Sequence, residues 1–162
     1  MTDLNKLLNP LYLRDNEIRK IVELIFFCYR DFTAGPDEIL EKIKFGRAHH
    51  RLIYFVGKKK NLTIKDLLSI LQITKQSLSR VLNQLVKEKF IMVSTGKDKR
   101  TKILSLTKKG IDLEKTLSNI QINRIKNVIK KFDENKINGF IEVLYAMIEE
   151  KNKIKFNEIN NL

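Results

Sequence analysis

Between Leu62 and Leu106 the chain runs through two short capped helical segments, a three-residue break and two β-branched stretches, and that succession constrains its fold more than any other feature. Thr63 stands where an N-cap would, with Asp66 three residues on to complete a capping box, and the inner face of this first helix would be Ile64, Leu67, Leu68 and Leu71. After Gln72 and Ile73, Thr74 is a second N-cap and a helix is predicted over Lys75–Lys89. At 100° per residue, Leu78, Val81, Leu82, Leu85 and Val86 gather on one side, and Gln76, Ser79, Arg80, Asn83 and Lys87 gather opposite. Ile91 to Thr95 and Thr101 to Leu106 read as two strands around the turn Gly96-Lys97-Asp98-Lys99-Arg100. Helix, turn, helix and a basic-tipped hairpin, in that order, make a winged helix-turn-helix.

Such a unit has a physical requirement that can be checked residue by residue. The second helix must bury one face and offer short or bidentate polar side chains on the other, near its N-terminus, to reach base edges in a major groove. Thr74, Lys75, Gln76, Ser77, Ser79, Arg80 and Asn83 meet that requirement. The hairpin tip needs cations for phosphates or the minor groove, and Lys97, Lys99 and Arg100 supply them. Charge is placed accordingly: Lys75 to Lys109 holds ten Lys or Arg against Glu88 and Asp98 alone, more than half of the chain's +13. Double-stranded DNA is the expected partner.

Outside this unit the chain is predicted to be helical. Ile18, Ile21, Val22, Ile25, Tyr29 and Phe32 form one stripe over Asn16 to Phe32, after which Gly35-Pro36 ends the helix and a short one runs to Lys44. Thr107 caps a helix to about Lys131, and Asp133 caps another with the stripe Ile137, Phe140, Ile141, Leu144, Met147 and Ile148. The fold class is therefore mainly α with a small β-hairpin wing (α+β). Residues 1–162 form one unit, with the winged helix-turn-helix DNA-binding part at 47–107, helical dimerisation parts at 1–45 and 108–150, and a frayed tail at 151–162. The flanking stripes are longer than a reading domain can cover alone, so they are expected to bury each other across a two-fold axis in a homodimer; the alternative is a monomeric helical cap.

Two stretches carry a resemblance to a known family: Leu62 to Leu68 with Thr74 to Leu82, and Asp98-Lys99-Arg100 followed by Leu104 to Thr107 and Gly110. Over Ile18 to Ile148 the chain resembles the MarR family of bacterial winged-helix regulators, and Phe45 to Arg51 looks like its PetP-type subgroup. The resemblance implies a recognition helix at Lys75 to Lys89, a wing arginine at Arg100, a wing-bracing acid at Asp98, a homodimer, and a cleft for a small-molecule effector beside His49 and His50. Thr95-Gly96-Lys97 departs from the family pattern, being about a residue shorter and lacking the common proline.

The remaining chemistry is sparse. Cys28 is the only cysteine, which suits a reducing compartment, and it is expected as a small buried residue flanking the first stripe. His49 and His50 are adjacent and diverge on a helix, so no metal site is expected. No phosphate-cradling glycine loop or nucleophile–histidine set is present, so neither catalysis nor a cofactor is expected. Met1 to Asn9 does not read as a secretory signal, and the apolar run at Leu24 to Tyr29 is far short of the roughly 20 residues of a membrane span. A cytoplasmic DNA-binding regulator with no membrane partner is expected; the alternative is a basic protein of RNA or membrane surfaces, using the lysines of 126–136 and 151–155.

Overall fold

The computed structural model of the chain describes residues 14–162, so the reading of Met1 to Asn9 lies outside the described residues. Seven helices surround one three-stranded antiparallel sheet: α1 (Asp15–Lys42), α2 (Arg47–Lys58), β1 (Leu62–Thr63), α3 (Ile64–Leu71), α4 (Lys75–Lys87), β2 (Ile91–Thr95), β3 (Lys102–Leu106), α5 (Lys108–Ile129), α6 (Glu134–Ala146) and α7 (Glu150–Asn160). The strand order is β1-β3-β2. Val93 and Leu62 both face Leu104, which is buried at the centre of the sheet. The mainly α architecture with a hairpin wing is the expected one, with a third strand added: Leu62-Thr63, read as the opening of a helix, pairs with Leu104-Ile103 before α3 begins.

The core is gathered around the central unit. Leu52 and Ile53 of α2, Leu67 of α3, Leu78 and Leu85 of α4 and Leu117 of α5 are all essentially inaccessible. Directional caps fix where these helices begin. Thr63 Oγ1 accepts from Asp66 N at 3.1 Å while Asp66 Oδ2 accepts from Thr63 N at 3.0 Å, closing the capping box of α3. The Asp66 carboxyl is held below its ordinary pKa: burial works to raise it, but the Thr63 hydrogen bonds and the fields of Lys59 and Lys155 outweigh that. Thr74, Thr107 and Asp133 cap α4, α5 and α6 through Ser77 N, Gly110 N and Lys136 N.

Several expectations are corrected. The first helix does not stop at Gly35-Pro36 but continues to Lys42, 28 residues in all. Pro36 removes one ladder hydrogen bond and sits buried inside the helix. Gly35 serves packing instead of termination, because a Cβ there would stand 2.7 Å from Ile120 Cγ2 of α5. α1 ends at a Schellman turn in which Phe45 N donates to Leu40 O at 2.8 Å, Lys44 N donates to Glu41 O at 3.0 Å, and Lys44 takes φ 59 in the usual place of glycine. Val86, assigned to the buried side of α4, is 37% exposed. Cys28 is exposed, not buried, on a stretch where Ile21, Val22, Leu24 and Ile25 also face outward, uncovered by the described residues. The tail read as frayed over 151–162 forms α7, whose Asn152 Oδ1 accepts from Gln72 Nε2 at 3.0 Å.

Candidate nucleic-acid interface

α4 is built so that one face has no freedom and the other is left available. Leu78, Val81, Leu82 and Leu85 are buried. At the N-terminus Thr74 Oγ1 accepts from Ser77 N at 3.1 Å and its hydroxyl donates to Ser77 Oγ at 3.0 Å, so these two side chains of the expected reading set are occupied in starting the helix. Lys75, Gln76, Ser79, Arg80 and Asn83 are exposed. Asn83 Nδ2 donates weakly to Ser79 Oγ at 3.4 Å, while Gln76 and Arg80 make no side-chain hydrogen bond among the described residues. Donors and acceptors with no intramolecular commitment are what a groove of base edges can satisfy.

The turn before α4 is tight because Gln72 adopts φ 51 as the C-cap of α3, and Gln72 N donates to Leu68 O at 3.0 Å. The turn after it is a second Schellman motif: Phe90 N donates to Leu85 O at 2.8 Å and Lys89 N to Val86 O at 3.0 Å, with Lys89 at φ 61. Buried Phe90 then leads directly into β2.

The wing tip is held by its own backbone. Gly96 N donates to Thr101 O at 2.9 Å and Thr101 N to Asp98 O at 2.8 Å. Asp98 Oδ1 accepts from Arg100 N at 3.0 Å, an Asx-type bond that orders the tip while Lys97, Lys99 and Arg100 remain exposed. The tip thus closes without a proline.

The adjacent histidines part company, as their spacing implies. His50 is buried and borders a cavity of about 420 Å³ between α1, α2 and α5, together with Tyr29, Arg47, Arg51, Tyr54 and Ile125. Burial holds the pKa of His50 below its ordinary value, against the opposing fields of Asp37 and Glu114. Arg47 at the cavity edge is tied to Asp37 Oδ2 at 2.8 Å. His49 does not line this cavity; its Nδ1 accepts from Gly46 N at 3.1 Å and its Nε2 meets Gln84 Oε1 of α4 at 2.9 Å. This link from α2 to α4 has no local signal in the sequence, because its two residues stand 35 positions apart. Among the described residues no group of three or more His, Cys, Asp or Glu side chains could hold a metal ion, and no helix is long and apolar enough to cross a membrane.

Residues 44–101 match the sequence model of the MarR family. The chain is 43% identical over 140 residues to the HTH-type transcriptional regulator PetP of Rhodobacter capsulatus, covering 86% of this chain and 84% of that protein. Among solved structures it is similar to Streptococcus pneumoniae FabT in complex with DNA, with a TM-score of 0.71 and 19% identity over 80% of this chain and 94% of that one. S. aureus MepR in its DNA-binding conformation gives a TM-score of 0.67 and 22% identity over 78% and 95%. A MarR transcriptional regulator of Methanosarcina mazei gives 0.63 and 21% over 79% and 95%.

Proposed function

The chain belongs to the MarR family, and on that premise we propose that it is a cytoplasmic transcriptional regulator that binds double-stranded DNA as a homodimer at a pseudo-palindromic operator. The observation that carries this reading is the division of α4, one face fully buried and the other offering Lys75, Gln76, Ser79, Arg80 and Asn83 to solvent beside a cationic wing. Gln76, Ser79 and Arg80 read base edges, Asn83 and the Thr74–Ser77 cap border them, and Lys75, Lys97, Lys99 and Arg100 meet phosphates or the minor groove. Asp98 braces the wing.

The apolar surface exposed on one copy supports the dimer. α1 exposes Leu24, Phe26, Phe27 and Tyr29, and α6 exposes Phe140, Ile141, Val143 and Leu144. In this reading residues 47–107 contact DNA, and residues up to 45 and from 108 to 150 form the dimer. The cavity beside His50 is the effector cleft, placed between α1 and α5 of the dimerisation part and α2 of the reading part, where a bound molecule would alter the angle between them.

The test is binding of the full chain to a random duplex library over a salt series, with sequencing of the retained fraction and light scattering in parallel. A dimer that enriches a two-fold-symmetric site, with affinity falling steeply as salt rises, supports the reading. A monomer that retains all duplexes alike, or prefers RNA or anionic vesicles, refutes it.

A further inference from the structure

His49 has a role to play outside the cavity, and its hydrogen bonds define it. A backbone N–H can only donate, so Nδ1, which receives Gly46 N–H at 3.1 Å, carries no hydrogen. The ring proton therefore sits on Nε2 and is donated to Gln84 Oε1 at 2.9 Å. The amide of Gln84 is oriented from its other end as well, its Nε2 donating to Lys44 O at 3.5 Å. Flipping that amide would set oxygen against the Lys44 carbonyl and NH2 against the imidazole N–H. The His49 ring lies flat on Phe45, with centroids 4.5 Å apart, and Phe45 meets Phe90 edge-on at 5.1 Å. The last turn of α4 and Phe90, three residues past its end, are thus both referenced to the corner between α1 and α2.

The apolar contacts of Leu78, Val81, Leu82 and Leu85 hold α4 against the core, but they are non-directional and resist rolling about the helix axis only weakly. A small roll displaces the tips of Gln76, Ser79 and Arg80, whereas productive recognition requires placement to about 0.5 Å and 10–20°. A hydrogen bond reaching α4 from the side supplies the missing direction. We propose that His49, as its neutral Nε2–H tautomer, is a positioning residue that fixes the roll of the recognition helix through Gln84 and thereby its choice among base pairs. This rests on the reading of α4 as the recognition helix.

Three substitutions in the full chain separate this role from simple capping. In His49→Asn the amide oxygen stands where Nδ1 stood and keeps the Gly46 bond while Gln84 is released. In His49→Gln the amide reaches the place of Nε2 and keeps Gln84 while the cap is lost. Gln84→Leu removes the acceptor without removing volume. Binding to the selected operator duplex and to a scrambled duplex is measured at one salt concentration, beside the melting temperature. His49→Asn and Gln84→Leu are each expected to lower the specific-to-scrambled affinity ratio about fivefold, the worth of one neutral hydrogen bond, with scrambled binding unchanged. Their double variant falls no further, because both remove the same bond. His49→Gln restores the ratio although it melts earlier. Nitrogen-15 spectra of labelled histidine should show the Nε2–H tautomer at His49. An unchanged ratio in His49→Asn and Gln84→Leu, additive losses in the double variant, a failed rescue or the Nδ1–H tautomer would overturn the proposal while leaving the DNA-binding reading intact. A wild-type chain that does not distinguish the two duplexes refutes that reading, and the proposal with it.

Discussion

Gly110→Ala tests the junction where the recognition helix, the wing and α5 meet. A Cβ at position 110 would stand 2.1 Å from the Phe90 carbonyl oxygen and 3.3 Å from Leu106 Cβ. Carbon and carbonyl oxygen settle no closer than about 3.3 Å, so roughly 1.2 Å must be absorbed, and by backbone instead of a flexible side chain. The same oxygen accepts from Thr107 N at 3.0 Å, while Thr107 Oγ1 donates to Lys89 O at 2.6 Å and accepts from Gly110 N at 3.1 Å. Relief of the clash therefore pulls on the cap of α5 and on the Schellman turn of α4 together. Overpacking at about 1–3 kcal/mol, with one or two neutral hydrogen bonds strained at about 1 kcal/mol each, gives a loss of about 2–5 kcal/mol. That is a large share of the stability of an ordinary domain. In urea unfolding at fixed protomer concentration, the midpoint should fall by about 1–2 M with the slope unchanged. A midpoint equal to wild type would mean that α5 does not start against Phe90, and the account of this junction would be wrong.

Asp66→Ala opens the capping box of α3 and should cost about 1 kcal/mol, read as a lower urea midpoint without loss of the fold. Arg80→Ala should cost about 1–3 kcal/mol on the selected operator and relax selection at one position per half-site; equal loss on every duplex would make Arg80 a phosphate contact only. Replacing Lys97, Lys99 and Arg100 together by Ala should flatten the salt dependence of binding, by about 0.9 in log–log slope for each phosphate contact removed. His50 is held neutral by burial, so as pH falls below its ordinary pKa of 6.5 the unfolded chain takes up the proton first. This group therefore contributes stability above that pH, and the contribution declines until the folded pKa is reached. The urea midpoint of wild type relative to His50→Gln should accordingly decrease from about pH 7.5 to about pH 5, and a pH-independent difference would contradict the assignment.

How much of this could be read from the chain depended on whether the signal was local. Thr63 and Asp66, Thr74, Thr107 and Asp133 announce helix starts through bonds made within three residues, and the structure places all four starts accordingly. Gly35-Pro36 misled because the same dipeptide that ends an isolated helix is tolerated where a glycine admits the neighbouring helix: the presence of Ile120 there is tertiary information. β1 was hidden because two residues carry no period, and only Leu104 and Ile103 opposite make them a strand. The Lys- and Asn-rich composition of the tail reads as frayed, whereas α7 is met by Gln72, eighty positions from Asn152, and by Tyr145 of α6, which bonds to Asn157. In the candidate interface the polar face of α4 was legible from the wheel, but the diversion of Thr74 and Ser77 into capping and of His49 to Gln84 depends on distances that no spacing encodes.

The exposed apolar faces bear on assembly more than the charge does. α6 has 13 residues and none is buried, and an isolated helix of that length is marginal in water. Of the 28 residues of α1, only Thr33, Pro36 and Leu40, all in its C-terminal half, are buried. What the described residues cover of α1 is the end that α5 touches through Gly35, while the segment from Ile18 to Phe27 offers Ile, Val, Leu and Phe side chains to solvent. Such surface is costly to leave wet, and an anionic partner does not repair it, because phosphates satisfy lysines and not phenylalanines. The basic face of α4 and the apolar helices thus call for two different partners, and the proposed two-fold dimer on duplex DNA would supply both: a second copy would bury α1 and α6, and the spacing it imposed would set two α4 helices against successive major grooves.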